Sequence, residues 1–162
     1  MEKYPLEIVI PIYNEGEKVI NLLIHFQNII KTKFKVLLCY DLDDDDIFLY
    51  KDKLKKFNFS IDLVKNPTKG PCSAIKKGLY YGNSDCVVVY PADDFLNVEI
   101  IDVMYDAFTK NHDIVVASRF IKGGSMKGCP IIKSILVRVA SWSLYLLSSI
   151  PVKDASNGFR LF

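Results

Sequence analysis

Histidine and tryptophan are nearly absent: the 162 residues include two of the first and one of the second. His25 falls in an amphipathic helical pattern and His112 in a loop, and neither has a catalytic partner in view. Chemistry built on a placed imidazole is therefore not expected. The four cysteines, Cys39, Cys72, Cys86 and Cys129, show no CxxC pairing and no metal-ligand spacing. That excludes a disulfide framework and points to a reducing compartment. Cys39 and Cys86 lie inside apolar runs, where a free thiol behaves as a small hydrophobe. The opening MEKYPLEIVIPIYNE lacks the long apolar core of a signal peptide and reads as the start of the fold. There is no internal repeat, no linker and no GxxxxGK[ST] phosphate loop. An excess of one charge is also missing, the net being +2, and no nucleic-acid partner is expected.

The charge is unevenly placed. From Arg119 onward seven basic residues (Arg119, Lys122, Lys127, Lys133, Arg138, Lys153, Arg160) face a single acid, Asp154, so the rest of the chain is net acidic. A basic, apolar C-terminal stretch suits a phosphate or an anionic membrane surface, or is simply a solvated basic face.

What is present is a regular alternation. Strands are expected over 6–13, 34–40, 60–64, 85–90 and 113–118. Val19, Leu22, Leu23, Phe26, Ile29 and Ile30 mark one face of an intervening helix. Ile47, Tyr50, Leu54 and Phe57 mark a second helix, residues 71–82 a third with Pro71 in its first turn, and Val98, Ile101, Tyr105 and Phe108 a fourth capped by Asn97. The strands are continuous apolar runs, so both sheet faces are covered. The expected architecture is an α/β three-layer sandwich around a mostly parallel sheet, one domain over 1–162.

In such sheets ligands bind beyond the carboxyl ends of the strands. Tyr13–Glu15, the acidic run 41–46, residues 66–70, Asp93–Asp94 and Ser118–Arg119 all fall there. Asp93 and Asp94 repel each other unless a cation sits beside them, and oxygen ligands suit Mg²⁺ or Mn²⁺ held together with a diphosphate. The competing reading is that both are turn formers. Most of the acidic run serves as helix cap and solvated surface, with Asp41 alone directly at a strand end. Residues 131–150 are amphipathic, with Ile132, Ile135, Leu136, Val139, Trp142, Leu146, Leu147 and Ile150 on one face. Ser134, Arg138, Ser141, Tyr145 and Ser148 occupy the other. Lys133 and Arg138 argue against a membrane span. By default the apolar face packs on the core; otherwise it lies in a membrane interface.

Four stretches together resemble glycosyltransferase family 2, and most closely its dolichol- and polyprenol-phosphate sugar synthases: IVIPIYNEGEKV, TKGPCSAIKKGL, VVVYPADDF and SRFIKGG…CPIIK…IPVKDASNGFRLF. The resemblance implies a GT-A (Rossmann-like) fold and inverting transfer from a GDP- or UDP-sugar to a polyprenyl phosphate, with Mg²⁺ or Mn²⁺. It implies donor contacts at Pro11, Tyr13, Glu15, Asp41, Lys69, Ala92 and Asp93, metal ligands at Asp93 and Asp94, and acceptor-phosphate contacts at Arg119 and Lys133. Asp93, Asp94 and Arg119 would carry catalysis. Pro91 stands where the family's D-x-D motif has its first aspartate, and Asp93 keeps the second. The chain ends at GFRLF, shorter than is usual for the family, so a domain truncated at its C-terminus is expected. The implied location is cytoplasmic, peripheral at the cytoplasmic face of a membrane, with 131–150 as an interface helix. The rival expectations are a catalytically weak nucleotide-sugar-binding domain, or a family 2 transferase acting on a soluble glycan. A phosphoacceptor receiver domain is disfavoured, because its acids follow the first and third strands, whereas here they follow the second and fourth.

Overall fold

The computed structural model describes residues 3–126, 129–148 and 152–162. β1 (Leu6–Ile12), β2 (Phe34–Tyr40), β3 (Ser60–Lys65) and β4 (Val87–Val89) pair in parallel, with β1 between β2 and β4. Strand side chains alternate between faces, and β1 divides accordingly. Leu6, Ile8, Ile10 and Ile12 enter a large core with Val19, Leu22, Leu23 and Phe26 of α1 (Gly16–Ile29). Val9 joins a smaller core on the other face with Leu37, Cys39, Val64, Val87, Val89 and Ala74 of α3 (Pro71–Tyr81). Both faces are thus covered, and the unbroken apolar runs follow from that.

The smaller core is thin because α3 lies very close to the sheet. A Cβ at Gly78 would stand 2.5 Å from Val9 Cγ1 and 2.9 Å from Cys39 Sγ. Burial pushes the Cys39 thiol up to about 12, so the thiol stays protonated. Below this layer the buried carboxylate of Glu7 accepts hydrogen bonds from the backbone N–H groups of Asn83 (3.0 Å) and Ser84 (3.3 Å), tying the turn after α3 to β1.

Three expectations are corrected. The acidic run is followed by a 3-10 turn (Asp46–Tyr50) and only one turn of helix, α2 (Lys51–Leu54). Asn97 does not cap α4 (Ile100–Phe108); Glu99 precedes that helix without a side-chain cap, while the Asn97 amide is spent on Asp94. The strand expected over 113–118 shortens to β5 (Val115–Val116), and a sixth strand, β6 (Arg160–Leu161), inserts between β4 and β5, antiparallel to both. The sheet order is β3-β2-β1-β4-β6-β5.

α5 (Ile131–Leu147) corrects the default placement of the amphipathic stretch. Its inner seam is Ser134, Val137 and Ser141, and Ser141 is its one buried residue, sharing a hydrogen bond of 2.9 Å with the Ser156 hydroxyl. The apolar face points outward, with Ile132, Leu136, Val139, Trp142 and Leu146 all more than half exposed. Ile150, the expected last residue of that face, lies outside the described residues. Among the described residues no helix is long and apolar enough to cross a membrane.

Candidate active site

The strand order reverses between the parallel neighbours β1 and β4, which opens a crevice beyond their carboxyl ends. Pro11 helps to open it. The last bond between the two strands runs from the Tyr90 N–H to the Val9 carbonyl, and Pro11, two residues on, has no N–H to continue the ladder.

Two carboxylate–loop clamps shape the rim. Asn14 takes a left-handed conformation (φ 50°), and its N–H donates to Asp45 Oδ2 at 2.9 Å. The Gly16 N–H donates to Asp46 Oδ1 at 2.8 Å, so the acidic run holds the β1 loop as well as capping its own turn through the Ile47 N–H. On the other side Asp41 accepts from the Asn66 amide (2.6 Å) and the Gly70 N–H (2.8 Å), fastening the loop that leads into α3. Gly70 has φ 117°, a conformation that L side chains rarely adopt, and Pro71 follows at the first position of the helix. Between the clamps lies a cleft of about 550 Å³, whose walls include Pro11, Tyr13, Glu15, Asp41, Lys69 and Gly70. Five residues expected around a nucleotide thus share one cavity.

The β4 exit separates the two adjacent aspartates. The Asp94 carboxylate accepts from the N–H groups of Leu96 and Asn97 (both 3.1 Å) and from the Asn97 amide (2.7 and 2.9 Å). Its carbonyl accepts from the hydroxyl of buried Tyr90 at 2.8 Å. Burial and the nearby Asp94 charge push the Tyr90 phenol well up, so it remains a donor. Asp93 is exposed and makes no hydrogen bond or ion pair among the described residues. Ala92 is 6 % exposed and packs in the larger core, so its contribution to a ligand is limited to backbone. Neither Ala92 nor Asp93 is part of the cleft wall.

Arg119 is already committed. Its Nε and Nη2 fork onto Asp154 at 2.9 and 2.6 Å, Nη2 also donates to the Ser156 hydroxyl at 2.8 Å, and its own N–H donates to Asp154 at 2.9 Å. Asp154 is fully buried. Burial pushes its carboxyl up, but the hydrogen bonds and charge of Arg119 outweigh this and hold it below the usual carboxylate range. Nη1 of Arg119 keeps no partner among the described residues. Lys133 is exposed and without an ion pair among the described residues. A second cavity, about 590 Å³, opens beside α5 between Phe120, Arg138, Val139, Trp142, Tyr145 and Lys153, with Arg138 stacked on Phe120 at 5.1 Å.

The profile described as Glycosyl transferase family 2 matches residues 7–152. The chain belongs to that family. The dolichol-phosphate mannosyltransferase of Pyrococcus furiosus is 25 % identical over 157 residues, which is 95 % of this chain and 45 % of that protein. The glucosyl-3-phosphoglycerate synthase of Mycobacterium tuberculosis, solved with Mn²⁺, UDP and phosphoglyceric acid, superposes with a TM-score of 0.70. That match has 13 % identity over 98 % of this chain and 55 % of that one. TarS of S. aureus superposes with a TM-score of 0.52 and 23 % identity over 72 % of this chain and 38 % of that one. This family 2 chain therefore spans about half the length of the first two relatives. The likeness supports the GT-A fold expected from its sequence. Strand ends and motifs point to Pro11, Tyr13, Glu15, Asp41 and Lys69 and to the 66–70 loop; the particular bonds of Asn66, Tyr90 and Asp154 are not foreseen from them, because they depend on which loops fold together.

Proposed function

We propose that this chain carries the donor half of an inverting glycosyltransferase site, using a GDP- or UDP-sugar and a polyprenyl phosphate acceptor. The observation that carries this reading is the gathering of Pro11, Tyr13, Glu15, Asp41 and Lys69 around one cleft where the strand order reverses. Pro11 and Tyr13 offer flat apolar surface to a base. Asp41, a pure acceptor when ionised, selects bases that present a ring N–H, as uracil and guanine do. Lys69 supplies a cation toward phosphate oxygens.

The side chains fit a divalent cation of the Mg²⁺ or Mn²⁺ type, held in part by substrate. Among the described residues no group of three His, Cys, Asp or Glu forms a protein-only metal site, which suits ions that take one or two carboxylates plus diphosphate oxygens and water. Asp93 is free to serve and Asp94 is largely occupied by its turn. When bound, such an ion supplies charge neutralisation to the departing diphosphate. The acceptor's phosphate oxygen attacks the anomeric carbon as the bond to the donor's β-phosphate oxygen breaks, and the nucleoside diphosphate leaves with the electron pair. A phosphate is already ionised near neutral pH and needs no general base, in keeping with the scarcity of histidine.

The outward apolar face of α5, the cations Lys133, Arg138 and Lys153 around it, which make no ion pair among the described residues, and the apolar cavity beside it support a lipid-borne acceptor at an anionic membrane surface. With the same features we read a peripheral location, at the cytoplasmic face of a membrane as the family resemblance implies. The decisive experiment is a thermal-shift series with UDP, GDP and their sugars, with and without Mn²⁺. Nucleotide with Mn²⁺ is expected to raise the melting temperature more than either alone, because only the folded state binds. No shift at millimolar nucleotide with metal would sink the donor-site reading.

A further inference from the structure

Asn66 is 2 % exposed, and both polar atoms of its side chain are engaged. Its Nδ2 donates to Asp41 Oδ1 at 2.6 Å and to the Thr68 carbonyl. Its Oδ1 accepts from the Ser73 hydroxyl at 2.8 Å and from the Thr68 N–H at 3.4 Å. Its backbone N–H donates to the Tyr40 carbonyl at 2.8 Å. One buried amide thus joins the end of β2, the 66–70 turn and the first turn of α3. A buried amide whose side-chain hydrogen bonds are all made holds a single arrangement. It also limits Asp41. With Oδ1 on Asn66 and Oδ2 on the Gly70 N–H, the carboxylate plane is fixed, and each oxygen keeps one lone pair for a ligand in the cleft.

We propose that Asn66 is the positioning residue of the nucleotide site, locking Asp41 and the 68–70 turn into one wall whose free edge toward the base is acceptor-only. The proposal rests on the nucleotide reading above and adds the origin of base selectivity. A carboxylate free to rotate would turn to solvent or let a water mediate, and would then tolerate any base. Held by Asn66 it rewards a ring N–H and sets lone pair against lone pair for cytosine or adenine, whose pairing-edge ring nitrogens carry no hydrogen.

The test is calorimetric titration of UDP, GDP, CDP and ADP, each with Mn²⁺, into the wild-type protein, Asn66→Asp, Asn66→Ser and the exchanged pair Asp41→Asn/Asn66→Asp. The serine variant removes the clamp without adding a charge. The wild type is expected to bind UDP or GDP at least about tenfold tighter than CDP and ADP. Both single variants are expected to bring that ratio close to one. The exchanged pair re-forms an amide–carboxylate hydrogen bond and is expected to recover the melting temperature lost by Asn66→Asp, but not the selectivity, because an amide now faces the base. Unchanged selectivity in the single variants, or recovery of both stability and selectivity in the exchanged pair, overturns the proposal and leaves Asn66 a purely structural residue. Failure of the wild type to bind any of the four removes the nucleotide reading and this proposal with it.

Discussion

Asp93 and Asp94 are neighbours with different work. Asp94 is enclosed by donors from its own turn and by the Tyr90 hydroxyl on its carbonyl, while exposed Asp93 makes no hydrogen bond or ion pair among the described residues. Asp93→Asn should remove the Mn²⁺-dependent part of nucleotide affinity, at least about tenfold, with little change in melting temperature. Asp94→Asn should keep most of that affinity and lower stability by about 1 kcal/mol, since it weakens a hydrogen-bonded turn. Titration calorimetry and thermal melts on both variants check this; equal losses of affinity would mean that the two carboxylates act as a pair. Arg119 and Asp154 give a second residue-scale expectation. The Asp154 pKa is lower in the folded protein than the ordinary value near ~3.9. The stability it contributes is therefore complete above that value and is lost as pH falls through the lower folded pKa. Asp154→Asn should cost about 3–5 kcal/mol at neutral pH, because it leaves the guanidinium without its counter-charge. It should also flatten the acid limb of a plot of melting temperature against pH.

At the scale of elements, α1 was legible because Val19, Leu22, Leu23 and Phe26 recur at the helical period and all are buried. β1 to β4 were legible as apolar runs between turn residues. β6 was not: Arg160–Leu161 is two residues long, and its pairing with Val88–Val89 and Val115–Val116 is fixed by partners far away in sequence. α5 shows the limit of periodicity from another side. The 3.6-residue period found its two faces, but not which one turns inward, since that depends on the hydroxyls of Ser141 and Ser156 meeting. The cleft followed the same division. Pro11, Tyr13, Glu15, Asp41, Lys69 and the 66–70 loop could be read from strand ends and motifs, whereas the bond from Asn66 to Asp41 needed two loops brought together. The outward face of α5 carries the membrane expectation. The protein should sediment with anionic vesicles at low salt and be released as salt rises, each basic residue near the surface contributing about 1 kcal/mol. Replacing Trp142 and Leu146 by serine should abolish sedimentation with little effect on the melting temperature, because both are largely exposed. A protein that stays in the supernatant at both salt concentrations would favour a soluble acceptor.

For the molecule as a whole, the two sides of the sheet differ in thickness. The larger core gathers α1, α4 and the aromatic stack of Tyr90 with Phe26 (5.1 Å) and Phe159 (4.7 Å), and the other face has little beyond α3. The same stack links the Asp93–Asp94 turn to residues close to Phe162. A chain ending at Gly158, before β6, should therefore lose both the melting cooperativity of the domain and its Mn²⁺-dependent nucleotide binding, which circular dichroism and calorimetry would report together.

That dependence has a consequence in time. β6 lies between β4 and β5 and closes backbone bonds on both, including the mutual pair between Val87 and Phe162. On the ribosome β4 and β5 are complete long before their shared partner leaves the exit tunnel. Until then the apolar edge of β4 has no neighbour and the sheet cannot close. Closure of this part of the sheet waits for β6 rather than for β4 or β5, and the interval before β6 arrives is when the nascent chain is most open to aggregation or to capture by a chaperone.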